Sequence, residues 1–103
     1  MQSFEKSEWI LQEMLMKRQF LIDRSLYQVV VKKDHENHGD VDLNKKVITL
    51  NDESPDEMLS TLIHELLHAV DYEYCANSLK HWQIYQLEKG IKRLLVDNFG
   101  DQD

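Results

Sequence analysis

Phe4, Ile10, Leu11, Met14, Leu15 and Leu21 recur at helical spacing, with Glu5, Glu8 and Glu13 early and Lys17 and Arg18 late, as a helix dipole prefers. This pattern predicts an amphipathic helix from about Ser3 to Leu21. The β-branched and aromatic run from Leu26 to Lys33 then predicts a strand, and VDL and KVITL, flanking Asn44-Lys45, predict a hairpin. A new helix starts at Asp52-Glu53-Ser54-Pro55, with Ser54 as N-cap, Pro55 at the first helical position and Asp56 and Glu57 in the first turn; it runs to about Tyr74. Ser78 can cap a last helix, whose stripe of Ile84, Leu87, Ile91, Leu94 and Leu95 ends at Asn98 and Gly100. Trp9, Met14, Met16 and Trp82 read as core or helix-packing residues. Helix, three strands, helix, helix is the order expected of an α+β domain, with helices on one face of a small, mainly antiparallel three-stranded sheet.

A chain of 103 residues can bury one modest core, so residues 1–103 form a single domain. The lone Cys75 cannot form an internal disulfide, which fits a reducing compartment. No run reaches the roughly 18 apolar residues of a membrane span, and MQSFEKSEWI lacks the features of a signal peptide, so a cytoplasmic location is expected. The net charge of −7 is uneven: residues 1–50 carry eight Lys/Arg against eight Asp/Glu, and residues 51–103 four against eleven. Phosphate backbones repel such a surface, so no nucleic-acid partner is expected, and Lys32-Lys33 and Lys45-Lys46 read as solvated lysines at turns and strand ends. An acidic field favours divalent cations instead.

Within the long helix, His64-Glu65-Leu66-Leu67-His68 spells HELLH. Histidines at i and i+4 lie one above the other, so both imidazoles can reach one metal ion, and the glutamate between them can hold a water on it. Zinc suits neutral imidazole and lowers the pKa of its water, which leaves Glu65 to act as general base. Composition alone gives roughly 0.02 accidental matches per chain. Leu59, Leu62, Ile63, Leu66, Leu67 and Val70 form an apolar face, while Thr61, His64, Glu65, His68 and Asp71 gather on the other.

A catalytic zinc site needs a third protein ligand and a position for water. Positions 81, 84, 88, 91 and 95 of the last helix read His, Ile, Glu, Ile, Leu, so Glu88 places a carboxylate in an otherwise apolar stripe, where coordination would offset its burial. His81 lies on the same face and competes. Seven residues of helix, about 10.5 Å, separate the two, so one ion takes one of them and Glu88 is preferred. His81 is then either a hydrogen-bond donor to an oxyanion or a surface residue. Asp71, one turn after His68, either orients a histidine or is solvated.

At HELLH and the later Glu88 the chain resembles the zincin metallopeptidases of the gluzincin group. The wider pattern, GDVDLNKKVITL before TLIHELLHAVDYEY and then LEKGIKRLLVDN, is similar to small zincin-like proteins encoded by phages and prophages. The resemblance spans about residues 26 to 98. It implies one zinc ion per chain held by His64, His68 and Glu88, Glu65 as general base and acid, and hydrolysis of peptide bonds in a peptide or protein substrate. It also implies that the strand from Lys46 to Leu50 borders the cleft and pairs with extended substrate. The chain has no length for the second subdomain of larger gluzincins, and Lys89-Gly90-Ile91-Lys92 lacks the aspartate that supports a zinc histidine in thermolysin-like enzymes. The alternative is a non-enzymatic protein-interaction module that keeps a zincin scaffold with a structural or vestigial zinc.

Other features carry less. His35 and His38, with Asp34 or Asp40, could form a second metal site, but a polar turn closed by Gly39 accounts for them more simply. Tyr72 and Tyr74 suit helix-end packing better than oxyanion binding, and Cys75 suits a small buried position.

Overall fold

The computed structural model describes residues 3–100, and side chains from residue 6 to 100. Helix α1 spans Ser3–Lys17; strands β1 (Gln19–Ile22), β2 (Ser25–Lys32), β3 (Gly39–Asp42) and β4 (Val47–Asn51) follow, then helices α2 (Pro55–Tyr74) and α3 (His81–Phe99). The α+β architecture is as expected, with four strands rather than three. Helix α1 stops at Lys17 because Arg18 takes a left-handed conformation, φ 59°, and the apolar residues assigned to the end of that helix form β1 instead. A two-residue turn with Asp23 at φ 56° folds β1 back antiparallel on β2.

The sheet order is β1-β2-β4-β3. The β3–β4 hairpin is antiparallel, but β4 joins β2 in parallel, Val29 beside Ile48 and Val31 beside Leu50, so the sheet is mixed. Strand β4 is therefore interior, paired on both sides. The edge beside the cleft belongs to β3, which corrects the expectation that Lys46 to Leu50 offers a free edge to substrate. Lys46 is not a solvated turn residue either: its Nζ donates to Glu73 Oε2 at 2.9 Å and lies 4.8 Å from the Tyr72 ring centre.

Tyr27, Val29, Ile48 and Leu50 are buried together with Met58, Leu59, Leu62 and Ile63. Helix α2 lies between the sheet and the other two helices, touching β1, β3 and β4 as well as α1 and α3. Its start is as expected: Ser54 accepts from Glu57 N–H, and Pro55 opens the helix. At its end Asp71 is buried rather than solvated; its Oδ1 accepts from Leu79 N–H and fixes the turn into α3, and among the described residues it makes no hydrogen bond to a histidine. Lys80, not Ser78, is the N-cap of α3. On α3, Ile84 and Val96 are buried and Ile91 and Leu95 pack against the core, while Leu87 and Leu94 are exposed because the stripe is narrower than its apolar content. Met16, Val70 and Trp82 are also exposed; Trp9 and Met14 pack on the core as expected.

Gly39 brings β3 against α2. A Cβ there would lie 2.5 Å from Thr61 Cγ2 and 2.9 Å from the Thr49 carbonyl oxygen, closer than real carbon atoms approach. Only glycine lets the edge strand sit this near the turn of α2 that precedes His64.

Candidate metal centre

The helical spacing does to His64 and His68 what it predicts: their Nε2 atoms lie 3.1 Å apart, half-buried on one face of α2. Helix α3 crosses beside that face with His81 at its first position, and one nitrogen from each of His64, His68 and His81 falls within 4.8 Å of the others. Three imidazoles suit zinc. A tetrahedral zinc with bonds of 2.0–2.1 Å would need its nitrogens about 3.3 Å apart, against 3.1 Å for the His64–His68 pair and at most 4.8 Å across the cluster.

Glu88 sits two turns further along α3 and meets His64 from behind. Its Oε1 is 2.9 Å from His64 Nδ1, while His64 Nε2 lies 3.1 Å from His68 Nε2. A carboxylate on the far nitrogen of a ligating histidine fixes the ring orientation and increases its basicity. Of the two residues weighed for the third position, His81 thus joins the cluster of histidine nitrogens, and Glu88 lies against His64 Nδ1.

Glu65 is buried at the cleft and its carboxylate makes no hydrogen bond among the described residues. Burial pushes its pKa up to about 7, helped by the negative charges of Asp40 and Glu88. His68 is pushed the other way, first by burial and then by His64 and His81, against the pull of Asp71. Its ring therefore favours the neutral form that binds metal.

These side chains open into a cleft of about 750 Å³ between α2, α3, β3 and the loop before it. Glu36, Asp40, Glu53, Glu65 and Glu88 line it, and no lysine or arginine does. At the rim His35 Nε2 is 2.8 Å from Asp40 Oδ2 and His38 Nδ1 is 2.7 Å from Glu53 Oε2, so each loop histidine is closed by its own carboxylate. Tyr72, Tyr74 and Cys75 do not line the cleft. Tyr85, which the sequence reading passed over, does: its ring lies 5.0 Å from that of His64 and 5.3 Å from that of His81. Its spacing was a usable signal, four residues after His81 and three before Glu88 on the same helix. Among the described residues no helix is long and apolar enough to cross a membrane. Comparison with protein-family models, curated proteins and solved structures finds no match to this chain, and the site is read from its own chemistry alone.

Proposed function

We propose that this chain is a zinc-dependent peptidase of zincin type, with His64, His68 and His81 as metal ligands, Glu88 orienting His64, and Glu65 as general base. The observation that carries the reading is the convergence of three histidine nitrogens beside an unpartnered, buried glutamate in an open cleft. Zinc would supply Lewis acidity there, making water nucleophilic near neutral pH and polarising a substrate carbonyl. Glu65 would accept the proton of the attacking water and pass it to the departing amine. A peptide is placed along β3, whose Gly39, Asp40 and Val41 line the cleft and whose outer edge is free for strand addition. Walls that carry carboxylates and no cationic side chain favour substrates with lysine or arginine near the scissile bond.

Three histidines leave a position open, whereas a structural zinc is closed by four protein ligands; this supports the hydrolase over the interaction module. The test is zinc content by elemental mass spectrometry, beside cleavage of a peptide library. The wild type is expected to hold one ion per chain and Glu65→Gln to keep that ion while losing about a hundredfold or more in turnover. His81→Ala is expected to lose the ion on dialysis, while Glu88→Ala weakens affinity about 10–100-fold without changing the ligand set. Loss of zinc with Glu88→Ala, and its retention in His81→Ala, would return the third position to Glu88. Undiminished cleavage by Glu65→Gln would sink the mechanism.

A further inference from the structure

His81 differs from its two partners in how it is held. His64 and His68 are half-buried on α2, and His64 is anchored by Glu88; His81 is exposed at the first position of α3, and no hydrogen bond among the described residues fixes its ring. A ligating histidine is ordinarily oriented by an acceptor on its second nitrogen. Here the neighbour that meets the His81 ring face to face is Tyr85, one turn along α3. The two rings are stacked at 5.3 Å with 24° between their planes. The same tyrosine ring lies 5.0 Å from that of His64, tilted by 53°, so it touches an imidazole from each helix.

We infer that Tyr85 is the positioning residue of the third ligand: its ring, stacked on His81, replaces the missing hydrogen bond and holds the imidazole towards the His64–His68 pair. The role rests on the reading of His81 as a ligand. Stacking fixes the plane of a ring with little demand on the hydroxyl, so the aromatic surface is what matters. It also limits the rotamers open to an exposed side chain at a helix start, which lowers the entropy lost when the ion binds. Tyr85 is itself half exposed and lies outside the buried core.

The experiment is a zinc titration against a chromophoric chelator, with cobalt absorption spectra as a report on coordination, for the wild type, Tyr85→Phe, Tyr85→Ala, His81→Ala and the double variant Tyr85→Ala/His81→Ala. Thermal unfolding of the metal-free proteins controls for folding. Tyr85→Phe is expected to match the wild type within about twofold, while Tyr85→Ala binds zinc about tenfold more weakly and gives an altered cobalt spectrum. Tyr85→Ala is expected to add nothing to His81→Ala, because its effect passes through that ring. Wild-type affinity in Tyr85→Ala overturns the role, as does a loss in Tyr85→Phe equal to that in Tyr85→Ala, or additive losses in the double variant. A wild type that binds no zinc overturns the reading of the site itself, an outcome distinct from these.

Discussion

The cleft contains two groups of histidines, and they behave differently. His35 and His38 come from the loop before β3, and each is paired with one carboxylate, Asp40 or Glu53, at hydrogen-bond distance. His64, His68 and His81 come from two packed helices and turn their nitrogens towards one another; their one carboxylate partner, Glu88, occupies the far side of His64. Both groups set imidazoles beside acidic side chains. The lesson is that a helix repeats its geometry every turn, so imidazoles on α2 and α3 share a focus, whereas a loop sends each side chain to its nearest acceptor.

The largest expected difference is in metal binding. His68→Ala is expected to lose zinc entirely on dialysis, while His35→Ala and His38→Ala retain one ion per chain by elemental analysis; retention in the first and loss in the others would move the site to the rim. The two sides also differ in how they tolerate a methyl group. Gly39→Ala presses on the Thr49 carbonyl and Thr61 and is expected to cost about 1–3 kcal/mol in denaturant unfolding. Gly90→Ala on α3 meets nothing within 4 Å and is expected to stabilise by about 0.5–1 kcal/mol. Equal effects would show that β3 does not press on α2.

The smallest contrast is in acid. Asn51 first, and His38 second, hold the Glu53 carboxyl below its ordinary value of 4.5, against the effect of its burial. A depressed carboxyl stabilises the fold fully above its unfolded value, and that contribution is lost as pH falls from about 4.5 through the lower native value. Asn51 also accepts from His35 N–H, so the whole rim shares this tie. Protection of the His35 amide, its exchange rate relative to the intrinsic rate at each pH, is expected to fall below about pH 4.5 in the wild type and to be lower already at neutral pH in Glu53→Gln. Protection that stays constant across that window would show that Glu53 does not hold the rim.

Much of this was legible. Ser54-Pro55 marks the start of α2, and HELLH marks the face on which metal chemistry is possible, because capping and helical periodicity are local properties. Strand β1 was not, because Arg18 is an unusual residue for a left-handed helix stop and Phe20, Leu21 and Ile22 suit a helix equally well. The parallel β2–β4 pair depends on how the β3–β4 hairpin docks, a tertiary choice. The sequence set His81 and Glu88 against each other as third ligand, about 10.5 Å apart along α3. What it lacked was the placement of α3 beside α2, which brings His81 into the histidine cluster and Glu88 to His64 Nδ1.

All the side chains assigned to metal binding, proton transfer and ring positioning lie on α2 and α3, within residues 64–88. Their order reduces to one line of text: H-E-x2-H-x12-H-x3-Y-x2-E. The last three of these residues share one face of α3, so substitutions elsewhere in the sheet and in α1 can accumulate without disturbing that spacing. A genome searched for this string, rather than for overall similarity, would return the candidates in which the same two-helix unit can be sought.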